Sequence, residues 1–273
     1  MQLYPSPALA PYILHYLILE DQVAGPLRHR FFPDGHPGIG FHVGDAFMQQ
    51  DFLSKTPLKH PESFIYGQVN HHFDLISGKK IGMLIVVFRP FGLSGFMRMP
   101  AKLLANQTLA LSEIFPKSAA GLTDQVLSAG GHLERINAIE SFFLNQLAAH
   151  PHNIQLAATC TKLIDSADKP LSVHSLASHL AVTERSLERA FDQHIGISPK
   201  LYSRIARLQR YLKLRKTSPA MSLTALGYEA GYYDQAHFIK DFADLAGITP
   251  SQYDMNTNRL AVNLMQITDP GMV

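Results

Sequence analysis

The hydrophobic residues of this chain recur with one spacing in the first part of the sequence and with another in the rest. Before about Ser112, short runs of apolar, β-branched or aromatic residues are separated by turn-forming residues such as Pro33-Asp34-Gly35 and Ser77-Gly78. Runs of this kind between turn residues predict β-strands. The predicted strands are Tyr12–Leu19, Arg28–Phe32, Ile39–Val43, Ser63–Tyr66, His72–Ile76 and Met83–Phe88. Many short strands at close spacing favour a small antiparallel barrel or sandwich.

From about Lys117 the apolar residues recur at helical spacing instead. In residues 131–150 they form one stripe, which predicts an amphipathic helix. The stripe consists of Leu133, Ile136, Phe143 and Leu147. It either closes the core of the first domain or pairs two copies of the chain into a homodimer through residues 131–150.

The length of the chain agrees with a division into two domains. Its 273 residues are too many for one ordinary domain and suit two domains of roughly 100–150 residues each. His150-Pro151-His152 ends the preceding helix, because proline disfavours helical geometry in the residue before it. We therefore predict a β-rich domain over residues 1–152 that ends in helices, an all-α domain over residues 153–255 and a tail over residues 256–273.

The last hundred residues contain an internal repeat. The segment Gly196-Ile197-Ser198-Pro199 matches Gly247-Ile248-Thr249-Pro250, and the apolar residues before it match as well. Each copy is predicted to be a short helix, a tight turn and a longer helix, which is the anatomy of a helix-turn-helix unit. The longer helices begin at Thr183 and Asp234, whose side-chain oxygens can cap a helix start.

The helix that joins the two copies is strongly basic. Residues 200–216 contain seven positive side chains and no acid, namely Lys200, Arg204, Arg207, Arg210, Lys213, Arg215 and Lys216. Such a block favours a polyanionic partner, with a solvated helix face as the alternative. Because the two longer helices themselves carry several acids, we expect phosphate attraction to come mostly from this joining helix.

Leu171–Tyr253 resembles the DNA-binding domain of the AraC/XylS family of bacterial transcription regulators. The resemblance is carried by LSVHSLASHLAVTERSLERAFDQHIGISPKLY and GYEAGYYDQAHFIKDFADLAGITPSQY. It implies two helix-turn-helix units, joined by a linker helix in one rigid seven-helix domain, that dock in successive major grooves. The N-terminal part, with FFPDGHPGIGF, is similar to sensor domains of some members, which bind effectors or hold dimers together. The implied fold class is therefore α+β with two domains, the first a cupin-like barrel.

The resemblance and the outward faces of the predicted helices together indicate which residues contact DNA. We expect these to be Thr183, Arg185, Ser186, Glu188, Arg189, Arg204, Arg207, Gln235, His237 and Lys240. Arginine reads guanine through two parallel hydrogen bonds, glutamine can do so for adenine, and Glu188 could accept from cytosine. Lys240 departs from family patterns that place an arginine at this position, which puts guanine discrimination by the second unit in doubt.

These observations predict a sequence-specific transcription regulator. Its expected partners are double-stranded DNA, RNA polymerase and a small-molecule effector that the sequence does not identify. We expect no cofactor, no metal and no enzymatic activity, because no catalytic arrangement stands out and the histidines of residues 15–72 lack a compact metal-ligand signature. The alternative is a metal-binding cupin-like enzyme, or a small-molecule-binding protein, fused to a DNA-binding module.

The expected location is the cytoplasm, at the nucleoid. The longest apolar run, Met83–Phe88, is far too short to cross a membrane, and the N-terminus has no signal-like segment. The single cysteine, Cys160, excludes an internal disulfide and a cysteine-rich zinc site. Its place in a helical pattern predicts a buried core residue.

Overall fold

The computed structural model describes residues 1–51, 56–149, 154–167, 169–256, 259–261 and 264–267. The strands in this part of the chain are β1 (Gln2–Leu3), β2 (Ile13–Gln22), β3 (Arg28–Phe31), β4 (Gly38–His42), β5 (Met48–Asp51), β6 (Leu58–Lys59), β7 (Ser63–Tyr66), β8 (Phe73–Ile76), β9 (Lys80–Phe88), β10 (Thr108–Ala110), β11 (Arg259–Ala261) and β12 (Leu264–Ile267). All six predicted strands are present, with shifts of a few residues at their ends.

The strands form two antiparallel six-stranded sheets. The first has the order β1-β2-β9-β4-β7-β10 and the second the order β11-β12-β3-β8-β5-β6. Their facing sides enclose a cavity, while the outer side of the first sheet packs on helices. The β-rich N-terminal domain that the sequence predicted is therefore confirmed.

The residue alternation of β9 explains this layering. Leu84, Val86 and Phe88 point to the helix side and are at most 1% exposed, whereas Met83 and Ile85 line the cavity. Successive side chains of a strand point to opposite faces, so a strand that is apolar at every position can cover two cores. Gly40 of β4 leaves room for the ring of Phe64, which packs on the strand: a Cβ at this position would lie 2.2 Å from that ring.

Three helices cover the outer side of the first sheet: α1 (Leu111–Ile114), α2 (Ala119–Ser128) and α3 (His132–Ala149). Ile136 and Phe143 of α3 are buried in that core, and Phe143 contacts the rings of Phe88 and Phe96. Most of the predicted apolar stripe therefore closes the domain core. Leu133 is different, because it is 70% exposed.

Seven helices form the described part of the C-terminal half, the number that the family resemblance implied. They are α4 (Gln155–Ser166), α5 (Val173–His179), α6 (Glu184–His194), α7 (Pro199–Thr217), α8 (Leu223–Glu229), α9 (Gln235–Ala246) and α10 (Pro250–Met255). Helices α5 and α6 are the first helix-turn-helix unit, and α8 and α9 are the second. The apolar spines along α6 (Leu187, Phe191 and Ile195) and α9 (Phe238, Phe242 and Leu245) are buried, and so is Cys160. The predicted boundary at His150-Pro151-His152 lies outside the described residues.

The end of the chain differs from the predicted tail. Strands β11 and β12 pair with each other, and β12 pairs antiparallel with β3 of the N-terminal half. Neighbouring sequence could not indicate this pairing, because the hydrogen-bonding edge is supplied by residues more than 230 positions earlier: Leu264 lies opposite Phe31. No described helix is long and apolar enough to cross a membrane.

Candidate nucleic-acid interface and effector cavity

The start of α6 carries the first group of predicted DNA-contacting residues. Thr183 caps the helix by accepting a hydrogen bond from the backbone N–H of Ser186 at 3.1 Å, as its position in the repeat predicted. Arg185 and Arg189 are exposed one turn apart. They present two guanidinium groups on one side of the helix.

The acids of α6 form a separate stripe at positions 184, 188 and 192. Glu184 pairs with His174 of α5 at 3.0 Å, and Asp192 pairs with Lys102 of the N-terminal half at 2.8 Å. Burial and the two neighbouring acids raise the pKa of Glu188 above its ordinary value. Side chains of other elements thus contact both ends of the acidic stripe, which runs directly beside the two arginines on the helix surface.

The first helix-turn-helix unit rests directly on the N-terminal half. Ser94 Oγ lies 3.1 Å from His194 Nδ1 at the end of α6. Gly196 follows with φ of +102°, and a Cβ there would lie 2.8 Å from the carbonyl oxygen of Ala101. Glycine is therefore required at this position both by the backbone conformation and by the close approach of the two domains.

Helix α9 carries the second group of predicted contacts. Asp234 caps it by accepting a hydrogen bond from the backbone N–H of His237 at 2.7 Å. Gln235, His237 and Lys240 are exposed on its first turns. Tyr233, just before the cap, is 88% exposed. Tyr233 was not among the predicted contacts, although a large aromatic residue in the turn before a predicted DNA-contacting helix is a visible signal.

Helix α7 uses most of its basic residues inside the protein. Arg204 Nε lies 2.5 Å from Asp241 Oδ1, and Arg207 Nη2 lies 3.6 Å from Asp241 Oδ2. Asp241 is 3% exposed, so these pairs hold α9 on α7. Arg207 also lies over the ring of Tyr232, at 5.0 Å from its centroid. The predicted role of Arg204 and Arg207 in phosphate contact therefore competes with a structural role, and it stays a prediction.

Other cations of α7 are engaged in the same way. Arg215 pairs with Asp254 of α10 at 2.9 Å, and Arg210 donates to the backbone oxygen of Ala167. Lys200 and Lys213 are exposed on the helix surface. Four of the seven cations of the joining helix thus contact the protein's own acids or carbonyls, and the expectation that this helix supplies most of the phosphate attraction stays a prediction.

A groove of about 600 Å³ lies beside α9. It is bordered by the loop before α5, by α7 and by α9, and its cationic lining residues are Lys200, Arg204, Arg207 and Lys240. Asp241 and Asp244 line the same groove. Lys200 and Lys240 are the exposed lysines of this set, and they place positive charge between α9 and the joining helix.

The second feature of functional interest is the cavity between the sheets, also about 600 Å³. Its wall is apolar and rich in aromatic rings, with Phe31, Phe47, Phe64, Tyr66 and Phe73. Pockets of this size and character are typical of small-molecule sites. Sequence analysis assigned no effector-binding residues, and none could be found from local patterns, because the wall is assembled from strands far apart in the chain.

Two buried histidines at the cavity, His42 and His60, are uncharged. Burial lowers the pKa of His60 to about 3, with a smaller contribution from His42, and burial lowers the pKa of His42 to about 4. His60 Nε2 lies 3.0 Å from Gln49 Oε1, which also accepts from Thr108. In this part of the cavity wall the polar groups are therefore neutral hydrogen-bonding groups. Among the described residues, no three side chains of the metal-binding types His, Cys, Asp and Glu form a cluster.

One end of the cavity is closed by the joining helix. Gln209 and Lys216 of α7 line it, and Gln209 Nε2 donates to the backbone oxygen of Pro33 at 2.7 Å. Asp34 and His36 line the cavity beside this contact. The helix that connects the two helix-turn-helix units therefore forms part of the wall around the candidate effector site.

Two family models match the chain. A model described as a helix-turn-helix domain matches residues 176–256, and one described as a domain of unknown function matches residues 1–110. An uncharacterized HTH-type transcriptional regulator of Haemophilus influenzae is 32% identical over 122 residues, which are 45% of this chain and 39% of the relative. The arabinose operon regulatory protein of Escherichia coli is 26% identical over 160 residues, which are 52% of this chain and 54% of the relative.

The match with these curated relatives spans about half of their length or less. A solved structure is similar over more of the chain. ToxT from Vibrio cholerae superposes with a TM-score of 0.52 at 11% identity, covering 88% of this chain and 97% of that one. A further ToxT structure, described as bound to an unsaturated fatty acid, gives a TM-score of 0.51. The likeness establishes a common two-domain fold.

Proposed function

We propose that this chain, which belongs by its C-terminal domain to the AraC/XylS family of transcription regulators, binds specific DNA sequences under the control of a small molecule held in its N-terminal cavity. The observation that carries the proposal is the pair of capped, exposed reading helices α6 and α9 on either side of the rigid helix α7. Helix α7 has 19 residues and is therefore about 28 Å long. This length suits two units that enter successive major grooves, about 34 Å apart.

In the first unit, Arg185 and Arg189 read bases, with guanine as the preferred partner of each guanidinium. Thr183 and Ser186 lie at the helix start, where hydroxyl and backbone N–H groups can contact phosphate. Glu188 is the middle residue of the acidic stripe and accepts from cytosine if it reads a base at all.

In the second unit, Gln235, His237 and Lys240 read the adjacent groove. Lys240 and the nearby Lys200 of α7 also supply phosphate contacts, which is supported by their exposure on the groove beside α9. Arg204 and Arg207 contribute mainly by holding α9 in place. Sequence-independent affinity then depends on these exposed lysines and on helix N-termini.

The effector is a mostly apolar small molecule with few polar groups. The aromatic lining and the neutral His60 support this class, and the few polar groups of the ligand can meet Asp34 and Lys216, which also line the cavity. A ToxT structure of similar fold is described as bound to an unsaturated fatty acid, which is a mostly apolar small molecule.

Further partners follow from the family and remain part of the proposal. RNA polymerase is the partner of a regulator that activates transcription. The exposed Leu133 and Leu144 of α3 offer a face through which residues 131–150 could join two copies. The protein acts in the cytoplasm, at the nucleoid, without catalysing a reaction.

Footprinting of the full chain tests the DNA-binding proposal, after its preferred sites have been selected from a random DNA library. We expect two protected base clusters about 10 base pairs apart on one side of the DNA. Arg189→Ala should relax base preference in one cluster, at a cost of about 1–3 kcal/mol if it pairs guanine, and Lys240→Ala in the other. Lys117→Ala, an exposed lysine of the N-terminal half, is the matched control. One short cluster, or two variants that alter the same bases, would refute the two-unit assignment.

A further inference from the structure

The C-terminal strand β12 is the feature of the fold that the proposed function does not yet use. It follows the second helix-turn-helix unit in sequence but lies in the second sheet of the N-terminal half. Leu264 and Met265 are opposite Phe31 and Arg30 of β3. Leu264 is 7% exposed and lines the cavity. A residue from beyond the DNA-binding domain therefore forms part of the effector site.

The opposite face of the same strand contacts the DNA-binding domain. Met265 is 2% exposed and belongs to the hydrophobic core that contains Tyr253 of α10 and Phe242 of α9. Successive residues of a strand point to opposite faces, so β12 presents one side chain to the cavity and the next to the second helix-turn-helix unit. This strand is thus in contact with both sites.

Strand β3, the partner of β12, has the same double contact. Phe31 lines the cavity, and Arg30 Nη1 donates to the backbone oxygen of Gly247 at the end of α9, at 3.2 Å. Phe32 lies against Tyr253, with ring centroids 5.9 Å apart. Arg30 is itself held by Asp74 at 2.8 Å. Two adjacent strands therefore connect the cavity wall to the C-terminal end of the second reading helix.

We propose that β12 completes the effector site and transmits its occupancy to the second helix-turn-helix unit. The inference rests on the proposed function, since it requires that the cavity binds a small molecule. A ligand that packs against Leu264 and Phe31 orders β12 and β3. The same ordering restrains the second unit, because Met265 is buried in the core that contains Phe242 and Tyr253, and Arg30 donates to the backbone oxygen of Gly247. Such an effector can shift the equilibrium between the ordered and the less ordered arrangement of β3 and β12 only by the difference in its affinity for the two.

A binding titration tests the first half of this inference. The probe is N-phenyl-1-naphthylamine, an uncharged aromatic fluorophore that suits an apolar cavity. In the full chain, Leu264→Ala should weaken probe binding about tenfold, because the apolar contact with the probe is lost. Leu58→Ala removes the same side chain at the opposite edge of the same sheet, where Leu58 is 66% exposed, and should leave the affinity unchanged.

A second variant separates loss of binding from loss of folding. Leu264→Phe keeps the strand apolar and fills the cavity, so it should also weaken binding while the urea midpoint stays near that of the parent protein. If both Leu264 variants bind the probe as tightly as Leu58→Ala does, β12 is not part of the site. If the parent protein itself does not bind the probe, the cavity fails as an apolar ligand site, and the proposed effector control falls together with this inference.

Hydrogen exchange tests the transmission. Saturating probe should slow amide exchange in β3 and β12 and also in α9 and α10, by about tenfold at the end of α9, while the exchange of α5 stays unchanged. Slower exchange in the sheets alone would overturn the coupling and leave the ligand site standing.

Discussion

The ion pair between α7 and α9 allows the structural and DNA-contacting roles of the basic helix to be separated. Arg204→Ala removes the closest cation from Asp241, whose side chain is 4% exposed. Removing one partner of a buried pair costs about 3–5 kcal/mol, because the remaining charge stays buried. Arg207 remains 3.6 Å from the same carboxylate, so we expect the lower end of this range, about 3 kcal/mol.

Lys200→Ala, on the exposed side of the same helix, is the comparison. It should change the free energy of unfolding by less than about 0.5 kcal/mol, since it removes no buried contact. It should instead reduce the salt slope of DNA binding by about 0.9 if Lys200 contacts one phosphate.

Urea unfolding followed by far-ultraviolet circular dichroism measures the difference. The midpoint of the C-terminal transition should fall by about 1 M in Arg204→Ala and stay in place in Lys200→Ala. Because both changes remove one positive charge from α7, a general charge effect would move both midpoints alike. Equal midpoints for the two variants would refute the assignment of Arg204 to a buried structural pair.

Two further predictions concern the N-terminal half. Phe143→Asp should prevent folding, because it buries a charge in the core under α3. Leu133→Asp, on the exposed face of the same helix, should fold normally. If light scattering instead shows a folded Phe143→Asp monomer, α3 is a dimer seam. The lowered pKa values of His42 and His60, about 4 and about 3, mean that the folded protein binds fewer protons than the unfolded chain below about pH 6.5. The contribution of the two neutral histidines to stability is therefore complete above about pH 6.5 and is lost as the pH falls toward 3–4. His60→Gln should make the urea midpoint less sensitive to acid. An unchanged sensitivity would contradict the buried, neutral state of His60.

The helix-turn-helix units were predictable because their signals are local. Caps such as Thr183 and Asp234 satisfy backbone donors three residues away, and the apolar spines lie within a few turns of one helix. Because the motif occurs twice, the pattern in one copy strengthens the helix-turn-helix prediction for the other. For the same reason the strongest strands, such as β9, were visible as continuous apolar runs bounded by turns.

The paired state of the basic helix was not predictable in the same way. A run of cations shows that charge is present, but its partners lie on other helices, as Asp241 and Asp254 do. Strands β5 and β10 were missed because the first is largely polar and the second has only three residues. Both exist because a neighbouring strand supplies the hydrogen bonds.

The sequence by itself determined the β-rich and helical halves, the double helix-turn-helix and the outward residues of α6 and α9, since each follows from contacts between residues close in the chain. Only the tertiary structure decided where the acids of α6 point, which cations of α7 stay exposed and that Leu264 lies in the cavity. The physical reason is that burial and pairing depend on which distant elements come together. Local periodicity carries no information about which distant element packs on a helix face or pairs with a strand edge when two faces or two edges could each accept it.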